Sequence, residues 1–235
     1  MTEENQPKPQ PKTKNRIWDL PTRLFHILVI CLVILSWYTA ENMQVFTFGP
    51  QDGPTLFELH VYSGITLLTL VIFRLFWGLF GSDTSRFGHF LRGPKAILAY
   101  VKGDRSSHIF GHNPLGALSV MLFIALLGII PSLGLLSSED TFGLEGPLKH
   151  LVSTETSYEL AEIHELLFDG LSILVILHVA TIIFYAVRGD NLVGPMVTGR
   201  TQKSTPEGLA FQPVWRALVF LALAALIVWA VLTFL

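Results

Sequence analysis

Two histidines, His164 and His178, lie fourteen residues apart in one long apolar stretch of the chain. On an α-helix, a separation of fourteen residues falls within roughly 40° of four whole turns and spans about 21 Å along the axis. Both imidazoles would therefore leave one helix face at two depths, and each could bind a separate metal ion. Because paired imidazoles in apolar surroundings suit haem iron, the spacing predicts a helix that supplies one ligand to each of two haems.

The composition indicates which elements position these residues. Apolar residues make up 51% of the chain and charged residues 14%. In lipid, backbone polar groups must be satisfied within the segment, so an apolar window of roughly 20 residues is expected to be a helix. Five windows meet this condition, at about 22–40, 55–80, 114–136, 158–187 and 214–235. The expected fold is an all-α membrane protein, with a four-helix transmembrane haem-binding bundle and an additional C-terminal transmembrane helix.

The remaining segments add no second domain. Residues 1–16 are polar and rich in Pro and Lys, which predicts a disordered tail rather than a cleavable signal peptide. Residues 17–200 are expected to form the four-helix core, including a surface helix at about 90–102 that begins near a proline. A linker at 201–213 then leads to the fifth transmembrane helix at 214–235.

Basic residues fall on one side of the predicted membrane. They precede the first helix and occupy the loops before the third and fifth helices, as Lys8, Lys12, Lys14, Arg16, Arg23, Arg86, Arg92, Lys95, Lys102, Arg105, Arg188, Arg200, Lys203 and Arg216. The two opposite loops contain one basic residue, Lys149, among several carboxylates. The positive-inside rule therefore predicts a multi-pass protein of a bacterial inner membrane, with the N-terminus, tail and linker cytoplasmic and the C-terminus periplasmic.

The predicted crossing directions sort the intramembrane histidines into two pairs. His26 and His178 both lie about two turns from the cytoplasmic side, whereas His60 and His164 lie about two turns from the periplasmic side. Ionisable residues at membrane depth usually have a function. We therefore predict that His26 and His178 bind the iron of a cytoplasmic-side haem, and that His60 and His164 bind the iron of a periplasmic-side haem.

Other roles are open for each histidine taken alone. A buried imidazole can hydrogen-bond a neighbouring helix or line a water-filled cavity. Zinc is a poorer match, because the two pairs are too far apart for one tetrahedral site and the only cysteine, Cys31, lies within the first apolar window. The agreement in depth of all four histidines favours two haems.

Three further residues are candidates for contacts to the cofactors. Arg74 follows His60 by fourteen residues, so it would lie at the depth of the cytoplasmic-side haem and could pair with a haem propionate. Arg23, one turn before His26, could do the same, and both arginines could instead extend toward lipid headgroups. His112, directly before the third helix, is a candidate acid-base group for a quinone, or a cap of that helix.

Several segments in combination resemble the bacterial cytochrome b561 superfamily, in the branch that includes the cytochrome b subunit of nickel-iron hydrogenases. They cover about 16–200 and are WDLPTRLFH (18–26), LH with FRLFWGLFGS (59–82), FLRGPKAILAYVKG (90–103), GHNPLG (111–116), EGPLKHLVS (145–153), ELAEIHELL (159–167) and DNLVGPMVTGR (190–200). The resemblance implies a four-helix core with two b haems, whose ligand positions coincide with His26, His60, His164 and His178. The fifth helix lies outside this core, and its role is open.

The expected function follows from the ligand count. With a histidine on each side, neither iron has a vacant position for a substrate, which favours electron transfer over oxygen chemistry. We expect electrons to cross the inner membrane between a periplasmic redox partner, either a cytochrome c or an oxidoreductase subunit, and the quinone pool of a respiratory chain. Membrane lipid is the other expected partner, and nucleic acid is not.

Two alternatives remain beside this interpretation. Some relatives oxidise superoxide and reduce quinone, which would make the chain an enzyme, but that reaction needs a positive periplasmic funnel where Lys149 stands among carboxylates. The second alternative is a haem-free membrane scaffold or transporter subunit. Of the three, we favour an electron-transfer protein or a subunit of an oxidoreductase complex.

Overall fold

The computed structural model describes residues 15–43, 55–91, 93–103, 113–140 and 143–235. In chain order its elements are β1 (Asn15–Arg16), α1 (Leu20–Asn42), α2 (Leu56–Phe80), α3 (Phe87–Phe90), α4 (Pro94–Val101), α5 (Pro114–Gly134), β2 (Ser138–Glu139), β3 (Leu144–Glu145), a 3-10 turn (Lys149–Leu151), α6 (Thr154–Val187), α7 (Val193–Thr198), β4 (Arg200–Thr201) and α8 (Val214–Phe234). The helices α1, α2, α5, α6 and α8 are long and apolar enough to cross a membrane. The predicted all-α membrane fold is therefore confirmed.

Capping explains where the spanning helices begin. Four short polar side chains occupy N-cap positions and accept the backbone N–H three residues on: Asp19, Thr55, Asn113 and Ser153. Thr55 and Glu58 form a complete capping box at the start of α2. Because Ser153 caps α6, this helix begins at Thr154, four residues before the predicted window.

Two-residue strands join distant parts of the chain. Asn15 pairs with Thr201 and Arg16 with Arg200, so β1 and β4 form an antiparallel ladder. Residues 1–14 of the predicted tail lie outside the described residues, but Asn15 and Arg16, which we expected in that tail, are strand residues. They differ from the expectation because the segment after α7 offers them backbone partners that sequence periodicity does not reveal.

The predicted surface helix at 90–102 is shorter in the structure. It corresponds to α4, Pro94–Val101, and the brief helix α3 ends just before it. Pro94 occupies the first turn of α4, where its missing N–H costs no hydrogen bond.

Helix α2 lies at the centre of the bundle. It packs against α1, α5 and α8, and α6 packs against α5. The main buried cluster joins α2, α5 and α6 to α3, through Leu67, Val71, Phe87, Phe90, Ala117, Ile124, Leu127, Ile130 and Leu171. The additional helix α8 packs on α2, where Phe220 stacks on Phe76 and Phe80. The fifth span is therefore part of the same packed bundle.

A buried polar cluster, formed by Asp19, Thr22, Trp77 and Ser85, ties the start of α1 to the end of α2. The indole N–H of Trp77 donates to Asp19 Oδ2 at 3.0 Å, and Ser85 Oγ lies 3.3 Å from the same oxygen. Ser85 Oγ also lies 2.6 Å from Thr22 Oγ1. These contacts fix the relative position of α1 and α2 at this end of the bundle.

Candidate functional site

The structure brings the four intramembrane histidines together in two pairs. The ring centroids of His26 on α1 and His178 on α6 are 6.5 Å apart, and those of His60 on α2 and His164 on α6 are 6.1 Å apart. We call these the α1–α6 pair and the α2–α6 pair. All four residues are partly buried. Helix α6 thus contributes one imidazole to each pair, at two depths of the bundle.

Both separations fit a single metal ion held between two imidazoles. A metal–imidazole bond is about 2 Å long and the ring centroid lies roughly 1 Å beyond the nitrogen, so opposed ligand rings are expected about 6 Å apart. Ordinary ring packing covers similar separations, so the distance does not by itself distinguish ligands from packed rings. The hydrogen bonds of the ring nitrogens provide a second criterion.

In the α2–α6 pair, backbone carbonyl groups orient both imidazoles. His60 Nδ1 lies 3.0 Å from the carbonyl oxygen of Ser36, and His164 Nδ1 lies 2.8 Å from that of Ile130. Because a carbonyl oxygen only accepts, Nδ1–H is the donor in both rings and Nε2 carries the lone pair. Metal-binding histidines have this arrangement, in which the other ring nitrogen donates to a fixed acceptor. The pair therefore fits a haem iron.

Close helix approach supports the same two rings. A Cβ at Gly134 of α5 would lie 3.0 Å from His164 Cε1, so a larger residue there would crowd the imidazole. On α1, the hydroxyl oxygen of the fully buried Thr39 lies 3.3 Å from His60 Nδ1. The orientation of this pair thus depends on α1 and α5 as well as on the helices that carry the histidines.

The α1–α6 pair has different surroundings. The ring of His178 meets Phe123 of α5 edge to face, with centroids 5.4 Å apart. Neither His26 nor His178 forms a hydrogen bond with another residue that the structure describes. Among the described residues, packing rather than a hydrogen-bond acceptor therefore positions both rings.

An apolar layer separates the two pairs. Leu171 lies midway between His164 and His178 on α6, seven residues from each, and it is buried. Leu67 lies seven residues after His60 on α2 and belongs to the same buried cluster. Because seven residues are close to two helical turns, each leucine shares a face with the histidines of its helix. Two metal sites at these pairs would be separated by buried apolar side chains.

Arg74, the candidate for a propionate contact, is buried in α2. Its Nη2 donates to the carbonyl oxygen of Ser85 at 3.1 Å, and its guanidinium lies 5.0 Å from the ring centroid of Phe87. Its Nη1 has no hydrogen-bond partner among the described atoms. A buried donor without an acceptor costs free energy, so this position fits an anionic group such as a haem propionate.

The other two candidates are placed differently. Arg23 donates from Nε to the carbonyl oxygen of Met196 at 3.2 Å and from Nη2 to that of Val197. These bonds hold α7 against the start of α1, a structural use that the sequence did not indicate. His112 lies outside the described residues. Its neighbour Asn113 caps α5 and also donates to the hydroxyl group of Tyr185 at 3.2 Å.

Sequence reasoning missed several residues around the pairs. Nothing in the sequence marks the carbonyl groups of Ser36 and Ile130 as acceptors for distant histidines, and Gly134 carries no signal of its own. Asp19 did carry a recognisable signal in the sequence. An aspartate two residues before Pro21, at the start of an apolar window, is typical of a helix N-cap. Its contact with Trp77 could not be predicted from that pattern.

Comparison with known proteins adds one match. The sequence model of the family described as prokaryotic cytochrome b561 matches residues 17–199, which include α1 to α7 and all four histidines of the two pairs. Neither the curated proteins nor the solved structures include a significant match. Within the described ranges, no group of three or more His, Cys, Asp or Glu residues could hold a metal ion. Each histidine pair therefore offers two candidate ligands, with no third residue of these types grouped beside it in the described part of the chain.

Proposed function

The chain belongs to the prokaryotic cytochrome b561 family, membrane proteins that transfer electrons through b-type haem, and we propose that it binds two such haems. One haem is held between His26 and His178, and the other between His60 and His164. The observation that carries the proposal is the division of four intramembrane histidines into two pairs at two depths of the bundle, each at a separation that fits one metal ion between the rings.

Haem supplies an iron centre that gains and loses a single electron, and the protein sets the rest of the chemistry. Two histidines per iron leave no open position for a substrate, which favours electron transfer. Backbone carbonyl groups orient the rings of the α2–α6 pair, and the buried side chains of Leu67 and Leu171 form an apolar layer between the pairs. Arg74 offers its unpaired donor to a propionate of the haem at the α1–α6 pair.

The spacing of the pairs suits transfer across a membrane. On α6 the two histidines are separated by about 21 Å along the helix axis, which is a large share of a hydrocarbon core about 30 Å thick. One electron could therefore cross most of the bilayer in a single step between two fixed sites.

We also propose a bacterial inner membrane, a cytoplasmic N-terminus, and electron exchange with quinone and with a periplasmic protein of a respiratory chain. The support is the charge distribution, in which basic residues flank the start of α1 and the segments before α5 and α8. The acidic opposite side would favour a partner with a basic docking surface.

The superoxide-oxidising alternative receives less support. Lys149, the basic residue expected to attract the substrate anion, pairs with Glu145 at 3.2 Å. A lysine that already faces a carboxylate attracts a further anion weakly. The haem-free scaffold does not fit a family whose members bind b-type haem.

Transfer across sealed vesicles tests the proposal. Haem-loaded protein is reconstituted into liposomes that enclose ferricyanide, and dithionite is added outside. We expect the enclosed ferricyanide to be reduced much faster than in protein-free liposomes, and H60A liposomes to behave like protein-free ones. If wild-type protein loaded with haem gives no acceleration over empty liposomes, the proposed transmembrane transfer is wrong.

A further inference from the structure

Arg74 lies at the depth of the α1–α6 pair. His60 of α2 contacts Ser36 and Thr39 of α1, and the two helices run in opposite directions. Arg74 lies fourteen residues after His60 on α2. It is therefore level with the residues fourteen before Ser36 and Thr39 on α1, which are residues 22–25.

Direct contacts give the same placement. Arg74 binds the carbonyl group of Ser85, whose hydroxyl lies 2.6 Å from that of Thr22. Thr22 lies one turn before His26 on α1, and residues four apart are neighbours on a helix surface. Arg74 is thus the buried cation next to this pair.

No Asp or Glu side chain that the structure describes forms an ion pair with Arg74. Its guanidinium group stays protonated in proteins, and the residue is 4% exposed. Asp19 attracts it from a distance, but Asp19 accepts from the backbone N–H of Thr22 and from Trp77 and forms no ion pair with Arg74. In such surroundings a charge acts over longer distances than in water.

The α2–α6 pair has the opposite environment. Residues 56–73 of α2 and all of α6 contain no Lys or Arg, so neither helix places a cation beside this pair. Both imidazoles donate Nδ1–H to a carbonyl oxygen, which makes Nε2 a stronger electron donor to a metal. This environment favours the oxidised iron.

We propose that Arg74 makes the haem of the α1–α6 pair the higher-potential site, and that the carbonyl-bound histidines make the haem of the α2–α6 pair the lower-potential one. The inference rests on the proposed di-haem function. A buried positive charge stabilises an added electron, and a strongly donating ligand opposes it. At equilibrium one electron shared by the two sites lies mainly on the α1–α6 haem, so that its iron is reduced and the iron of the α2–α6 haem is oxidised.

This order gives electron transfer a direction. A reduced protein donor that acts at the α2–α6 pair would give one electron to the haem there. The electron would then pass to the higher-potential haem of the α1–α6 pair, at the end of the bundle where α1 begins. With the proposed orientation, electrons would pass from the periplasmic side toward quinone on the cytoplasmic side.

A redox titration of the purified di-haem protein tests the proposal. H26A and H60A variants, which each keep one haem, assign the two midpoint potentials to the two pairs. In the wild type we expect the α1–α6 haem to titrate at the higher potential. In R74Q its midpoint falls by the equivalent of at least a tenfold change in the equilibrium constant, ~59 mV for one electron, while the other midpoint stays in place. R74K, which keeps the charge, retains a midpoint closer to the wild type.

Two controls separate this effect from general disturbance. R200Q removes one exposed positive charge at the same end of the bundle, where solvent screens it, and both midpoints should stay unchanged. G134A crowds His164 and weakens its bond to Ile130, so the α2–α6 midpoint should rise, whereas G170A meets open space and should leave it in place.

The possible failures are distinguishable. Purified protein with fewer than two haems would contradict the proposed function itself. Protein with two haems in which the α2–α6 haem has the higher potential, or in which R74Q shifts neither midpoint, would overturn only the role of Arg74. If R74Q does not assemble, the order of the two midpoint potentials in the wild-type protein still tests the proposal.

Discussion

Helices α2 and α6 carry chemical groups at the same spacing but lie in different surroundings. His60 and Arg74 on α2, like His164 and His178 on α6, are fourteen residues apart. In the most apolar window of α2, 44% of the residues are buried, against 6% in that of α6. Helix α2 packs against three spanning helices, whereas α6 packs against α5.

The difference shows that hydropathy and burial are separate properties in a membrane protein. The mean hydropathy of the most apolar window is 2.3 in α6 and 1.8 in α2, so the more apolar window is the more exposed one. Lipid solvates apolar side chains as well as a protein core does, and burial follows close packing instead. Gly78 shows this on α2, because a Cβ there would overlap the ring of Phe87.

Much of the architecture could be predicted from periodic patterns. The five spans follow from length and hydropathy, and the depths of His26, His60, His164 and His178 follow from helix geometry and crossing direction. The central position of α2 could not be predicted, since it depends on contacts such as that of Trp77 with Asp19. The carbonyl groups that accept hydrogen bonds from the α2–α6 pair could not be predicted either, because every residue carries a carbonyl group.

The largest predicted effect concerns which histidines hold which haem. We expect H60A and H164A each to remove the haem of the α2–α6 pair, and H26A and H178A to remove the other, because a haem with one lost axial ligand is held by a single histidine. Haem content and the spectrum of the remaining haem measure this. Loss of different haems from the two members of one pair would contradict the pairing.

The next effect compares equal substitutions on the two helices. L70A on α2 empties a buried site and should lower the free energy of unfolding by about 2 kcal/mol, whereas L166A on α6 removes an exposed side chain and should change it by less than about 0.5 kcal/mol. Chemical denaturation in one detergent measures both. Equal destabilisation by the two variants would show that α6 is packed as tightly as α2.

A smaller effect concerns the polar anchoring of α2. W77F keeps an aromatic ring but removes the N–H that donates to Asp19, which should cost about 1.5 kcal/mol because a buried carboxylate loses a donor. The matched variant W229F lies on the exposed part of α8 and should be nearly neutral. Thermal unfolding of both variants at pH 7 measures the difference. A neutral W77F would mean that the polar cluster adds nothing to the position of α2.

The smallest effect is the pH dependence of the loop that follows α2. Partial burial would raise the pKa of Asp83, but the backbone N–H of Ala210 and the side chain of Arg86 outweigh it and hold the pKa below its usual value. The folded state therefore gains stability from this carboxylate above the unfolded pKa of about 3.9, and loses it as the pH falls through the lower folded value.

The D83N variant tests this contact. Its melting temperature should lie below that of the wild type at pH 7. The difference should shrink below about pH 4, where the carboxyl group of the unfolded wild type takes up a proton, and it should vanish below the lower pKa of the folded state. A difference that stays constant across this range would show that the charge of Asp83 contributes nothing to the stability of the loop.

The central claim, that the two histidine pairs hold two haems, is tested most directly by the haem content of the purified wild-type protein. Haem extraction combined with a reduced-minus-oxidised spectrum gives the type and the number of haems per chain. We predict two b haems, both with the spectrum of six-coordinate iron ligated by two histidines. One haem per chain, or a spectrum of five-coordinate iron, would contradict the account.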